Sequence, residues 1–186
     1  MITCLPDARV SLLARVALIL GVVAAGSAGS RALAQEKEPP KPPPKSVEIQ
    51  VFVILASKGE VDYADPSLKE LAELLKRDSK GQFNRFRLHK SPQAEVKLST
   101  TTYFGLIENY HLKATYSGVK AEQPEMVQLS LSIVRREQGS VGGKDEIRET
   151  PVLGPLGINI VRDKFVLIGG PQIGDDKLIL AVRVLK

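Results

Sequence analysis

The chain has 186 residues and a formal net charge of +5, from 26 Lys and Arg against 21 Asp and Glu. A balance this mildly basic is ordinary for solubility and does not by itself argue for nucleic acid or anionic lipid. One cysteine and two histidines exclude a disulfide framework and leave structural zinc short of ligands.

The first 34 residues read as a secretory signal peptide. Arg9 and Arg15 give a basic start, residues 16–25 a short apolar run, and Ala32-Leu33-Ala34 the small residues a signal peptidase reads. Spanning a bilayer as a helix takes roughly 20 apolar residues, so this run predicts no stable membrane span after cleavage. Retention of the run as an N-terminal anchor is the alternative. Cys4 precedes the apolar run, which argues against lipid attachment at a cleavage point. Cleavage after Ala34 leaves Gln35 at the new terminus and delivers the chain to the periplasm or the extracellular space. It removes Arg9, Arg15, Arg31 and Asp7, a net +2, so +3 of the +5 remains, and the only cysteine goes with them.

Residues 35–45 form a charged proline run, from Glu36 to Pro42-Pro43-Pro44-Lys45. Proline fixes φ and removes the donor, so the run predicts an extended polyproline II spacer. A ligand for a proline-binding module is the sharper reading. Residues 46–186 then form a single β-rich domain, long enough to bury roughly two-thirds of its unfolded surface.

The domain opens on Val47 to Leu55, apolar on both phases, which predicts a central strand covered on both sides, one of them by a helix. Asp65-Pro66 signals a helix start, Leu68, Leu71, Ala72 and Leu75 give its stripe, Lys76 and Arg77 suit its last turn, and Gly81 can close it. Strands follow at Phe86–Leu88, Val96–Leu98, Tyr110–Tyr116, Val127–Ile133, around Ile147, at Ile158–Val161, Phe165–Ile168 and Leu178–Leu185. Ser117-Gly118, Gly142-Gly143, Arg162-Asp163 and Gly174-Asp175-Asp176 separate some of them. The fold class read from this pattern is α+β, mainly β: one N-terminal helix packed on an antiparallel sheet or sandwich of seven to nine strands.

The closing stretch Phe165 to Pro171, then Asp175 to Val184, taken with Leu68–Leu75 and Phe83–Leu88, resembles a loose group of small exported β-rich proteins of unassigned activity from Gram-negative bacteria of the planctomycete and myxobacterial type. The likeness covers most of residues 47–186 as a pattern. It implies a fold and an exported location, and carries no catalytic residues.

No constellation predicts catalysis or a cofactor. There is no G-x-S-x-G in the mature chain, and His89 and His111 both fall on polar strand phases. Asp62 with Asp65, and Asp175 with Asp176, fall short of a calcium loop, and Asp65 reads better as a cap. Gly169 to Lys177 lacks the Gly-Lys-Ser/Thr of a phosphate loop and reads as a hairpin. The one patch with binding content is basic. Arg85, Arg87 and His89 share a strand face, Lys90 adjoins them, Phe83 is in phase, and Lys76, Arg77 and Lys80 precede them. Such a ladder suits a polyanion or acidic partner, and otherwise keeps a sheet edge soluble. The function expected is a non-enzymatic exported interaction domain that binds an envelope protein or assembly. The alternatives are an envelope polyanion binder on the basic face, and a hydrolase using carboxylates such as Glu146 and Glu149. Nothing points to nucleic acid.

Overall fold

The computed structural model describes residues 42–185 except 142–143. The leader 1–34, its cleavage point, residues 35–41 of the linker and the Gly142-Gly143 turn signal lie outside the described residues.

Ser46–Ser57 forms β1, and both of its faces are covered. Val47, Ile49, Val51 and Val53 enter a core between two sheets, while Ile54 and Ala56 enter a second core under a helix. β1 pairs antiparallel with β10 (Asp176–Val184) along one edge. Along the other it pairs with β3 (Arg85–Lys90) at its C-terminal half and β4 (Gln93–Lys97) at its N-terminal half. β9 (Phe165–Ile173) extends the sheet beyond β10, and the short β2 (Tyr63–Ala64) pairs in parallel with β3.

The second sheet is an antiparallel meander in the order β5 (Thr101–Gly105), β6 (Tyr110–Lys120), β7 (Gln123–Val141) and β8 (Lys144–Val161). Leu112, Ala114 and Tyr116 of β6 and Val127, Leu129, Leu131 and Ile133 of β7 point to the first sheet, where they meet the β1 valines and Leu178, Leu180, Val182 and Val184 of β10. This strict alternation of apolar and polar residues puts one face of each strand inside. Leu68, Leu71 and Leu75 cover the other face of the first sheet, against Ile54, Phe86 and Ala181. The chain is thus mainly β, a sandwich of two sheets, antiparallel but for the short β2–β3 pair, with a helical layer on one outer face. Among the described residues no helix is long and apolar enough to cross a membrane.

The structure corrects two details of the expected fold class. The helix is not N-terminal: it follows β1 and β2, and it is split. Asp65 does cap a start, its carboxylate accepting the Ser67 N–H at 2.9 Å, but the turn it caps is a 3-10 piece, Pro66–Leu68. The α-helix proper, α1, is Ala72–Ser79. Both pieces keep their leucines on the sheet, because burial of Leu68, Leu71 and Leu75 constrains the chain more than ladder continuity does. Among the described residues the strands number ten rather than seven to nine. Tyr63–Ala64 is too short to show a period, and Thr101–Gly105 buries only Phe104. Ile147 and Ile158–Val161 belong to one long strand, β8, which continues through Gly154 and Pro155.

The linker's last residues meet the domain. The Pro44 carbonyl accepts the Tyr116 hydroxyl at 3.2 Å, and the Lys45 carbonyl accepts the Leu98 N–H at 2.8 Å.

Candidate functional site

The four residues of the basic face sit on β3, and Arg85, Arg87, His89 and Lys90 are all exposed. Phe86 and Leu88, on the alternate phase, pack toward the helix, so Arg85, Arg87 and His89 face the opposite side of the sheet. Lys76, Arg77 and Lys80 stand on the helical side and do not join them in one patch. Phe83 also packs on the helical side. Arg87 is committed to Asp176, Nη2 to Oδ2 at 2.6 Å. Arg85 lies along Gly59, where a Cβ would come within 2.3 Å of its Cδ. The carboxylates weighed for calcium serve other contacts: Asp62 meets Lys76 at 3.8 Å and Asn84 at 3.2 Å, and Asp65 caps the 3-10 turn. Among the described residues no group of three or more metal-ligating side chains comes together.

A more built arrangement lies on the outer face of the second sheet, which no other layer covers among the described residues. Its origin is a mismatch between β7 and β8. Leu131 to Val134 spans three steps on β7, while their partners Leu156 to Pro151 span five steps on β8. The two extra residues make bulges, so β8 bows and a recess opens beside β7. Gly154 sits at the bow with φ +98°, and a Cβ there would lie 2.8 Å from the Leu131 carbonyl oxygen and 2.9 Å from the Ser132 Cβ. Only glycine meets both demands, the positive φ and the close approach.

The recess holds about 330 Å³. Its floor is a row of hydroxyls: Thr115 on β6, then Ser130 and Ser132 on β7. Pro151 and Pro155 of β8 line one side, and Lys113 and Glu149 line the recess as well. Glu149 receives Lys113 at 3.6 Å and Arg136 at 3.4 Å. The Arg136 Nε lies at ion-pair distance without hydrogen-bond geometry, and no other acceptor among the described residues satisfies it. The Arg136 guanidinium stacks 4.4 Å over the Tyr103 ring, and the Lys113 ammonium stands 5.7 Å from the same ring. Two cations against one carboxylate leave this cluster one positive charge in excess.

No family model, curated protein or solved structure matches this chain.

The recess can offer hydroxyl donors and acceptors, a cation-rich rim and proline surface to a partner. Neither Ser130 nor Ser132 hydrogen-bonds to a histidine or carboxylate among the described residues. His111 lies half-buried on β6, with Nδ1 3.1 Å from the Asn109 carbonyl oxygen. The carboxylates considered for hydrolysis do not converge. Glu149 and Glu146 are three residues apart on one strand, which places them on opposite faces. A second recess, of about 230 Å³, lies between the end of α1 and β9–β10 and is lined by Leu75, Phe83, Leu167 and Ile179.

Sequence reasoning placed strands at Tyr110–Tyr116 and Val127–Ile133 but gave their outward phase no role. Arg136 and Tyr103 carried no signal, since the first falls beyond the clean alternation and the second in an unrecognised strand. The available clue was serine at two successive outward positions of β7, Ser130 and Ser132, where a solvated strand usually carries longer polar side chains.

Proposed function

We propose that the chain is a non-enzymatic, exported interaction domain, acting in the periplasm or outside the cell, that binds an envelope protein through the outer face of its second sheet. The observation that carries this reading is that face itself. A helical layer covers the outer side of the first sheet, and among the described residues no layer covers the second, where β8 bows to open a recess over Thr115, Ser130 and Ser132. A sheet face with small hydroxyls, prolines and an ion cluster carrying one excess positive charge suits a protein surface of mixed polarity. The signal-peptide pattern of residues 1–34 supports the location, and the resemblance to small exported β-rich proteins points the same way.

Filling the recess tests the reading. Ser132→Arg, which projects outward and leaves the core untouched, is expected to abolish capture of the partner from envelope extracts while far-ultraviolet circular dichroism and melting temperature stay unchanged. Equal capture by both proteins would overturn the assignment of the face. The second reading, an envelope polyanion binder, is favoured by one observation: of Arg85, Arg87, His89 and Lys90, only Arg87 has an ion-pair partner among the described residues. In the same experiment it predicts capture on a heparin or lipopolysaccharide resin that falls steeply with salt. That capture would survive Ser132→Arg and be lost in R85A/K90A.

A further inference from the structure

The β7–β8 hairpin outruns its sheet. β6 begins at Tyr110, opposite Arg135, so beyond Arg135 and Thr150 only two strands remain, with Arg136 opposite Glu149, Glu137 opposite Arg148, Gln138 opposite Ile147 and Gly139 opposite Glu146. Residues 146–150 are all exposed, and Ile147 is 57% exposed. β8 is the last strand of its sheet, so this arm presents an open edge of main-chain donors and acceptors. Toward the body the edge is blunted, because Pro151 and Pro155 supply no N–H. The segment before Pro151 has no such block.

What can pair with this edge follows from symmetry. Two copies joined edge to edge by antiparallel β8 strands are related by a two-fold axis perpendicular to the sheet. That axis keeps outward residues with outward residues, so one residue must lie opposite itself. Three registers are near the middle of the arm. Centring on Glu146 sets glutamate against glutamate, and centring on Arg148 sets arginine against arginine. Centring on Ile147 sets Ile147 against its own copy and Glu146 against Arg148 of the second copy, twice. In the single chain neither Glu146 nor Arg148 has an ion-pair partner among the described residues. Glu149, which this register places opposite Asp145, is already held by Lys113 and Arg136.

We infer that the β8 arm is a self-pairing edge, and that the protein forms a symmetric dimer through residues 144–150, with the two-fold axis at Ile147 and paired Glu146–Arg148 contacts on either side. The four-stranded sheets of two copies become one eight-stranded sheet. Seven residues a side make a contact below the roughly 1,200–2,000 Å² of a standard interface, so the dimer is reversible. This surface shares Glu149 with the lining of the recess, but its test does not depend on an envelope partner.

Sedimentation equilibrium on the full-length chain, from a few micromolar to near-millimolar, tests the inference. The expected result is a monomer–dimer equilibrium that weakens with salt. Arg148→Glu and Glu146→Arg each place like charges across the axis and are expected to weaken association about tenfold or more. The double variant E146R/R148E restores opposite charges and is expected to recover it, as is an equimolar mixture of the two single variants. In a Cys4→Ser background, Ile147→Cys is expected to form an intermolecular disulfide on mild oxidation, since opposed residues on antiparallel strands meet disulfide spacing. A chain that stays monomeric at every concentration overturns the inference. So does association that ignores the single variants, or a double variant that associates no better than either single one.

Discussion

Tyr116 shows how much one residue does here. It is the largest fully buried side chain, on the inward phase of β6, and its hydroxyl leaves the apolar core to donate to the Pro44 carbonyl at 3.2 Å. Burial raises its pKa above the ordinary 10.0, and the Arg162 guanidinium offsets part of that rise. The sign follows directly. A group whose folded pKa is raised contributes stability that is fully present below its unfolded pKa, about 10, and is lost as pH climbs through the folded value. Urea midpoints are therefore expected to hold steady to about pH 9 and to fall above about pH 10. In Tyr116→Phe the alkaline fall is expected to be shallower, while stability at pH 7 drops by about 1 kcal/mol from the lost hydrogen bond. An identical alkaline slope in the variant would show that this phenol does not report on folding. Arg183 does comparable work on the helical side. Its guanidinium stands 4.8 Å from the Phe165 ring, donates to Gln50 Oε1 at 2.6 Å and reaches Glu70 at 3.3 Å. One long side chain thereby ties the segment before α1 to β1 and β9, and no periodicity argument singles it out.

Among the elements, the split helix is the clearest case of packing prevailing over local signals. Asp65-Pro66 and the leucine stripe were legible, and they do mark where the chain turns onto the sheet. The sequence did not reveal that residues 69–71 leave the helical ladder, because a stripe at positions 68, 71 and 75 satisfies one continuous helix and two separate pieces equally well. The end is also displaced by a residue. Lys80 takes the left-handed cap at φ 48°, ahead of Gly81 at φ +76°. Since α1 has only eight residues, its stability comes from the face it buries rather than from its own ladder. Leu71→Ala, at a residue 1% exposed, is expected to cost about 2–5 kcal/mol in chemical denaturation. A cost below about 1 kcal/mol would mean that the helical layer is not coupled to the sheet core. For β8 the reverse holds. Its two apolar pieces were visible, but their continuity was not, because Pro151, Gly154 and Pro155 read as breaks until a neighbouring strand holds them in register.

Across the whole molecule, two cores share one sheet, and β1 and β10 contribute to both. Opening either strand exposes both cores at once, so their amides are expected to be the slowest to exchange with deuterium. The arm beyond Arg135 and Thr150 packs on neither core and is expected to exchange fastest among the strands. Exchange in β1 or β10 as fast as in the arm would contradict a shared core. The chain order of residue types determined the mainly β class, the inward phase of each long strand and the both-sided burial of β1, because a period of two commits every second side chain to one face whatever the strand packs against. Tertiary structure alone decided which polar residues meet. Lys113, Arg136 and Glu149 come from three strands and gather around Tyr103 of a fourth. Arg85 and Lys76 stand on opposite sides of one sheet although they are nine positions apart. Pairing register and bulges set these distances, and both arise only when strands far apart along the chain lie side by side.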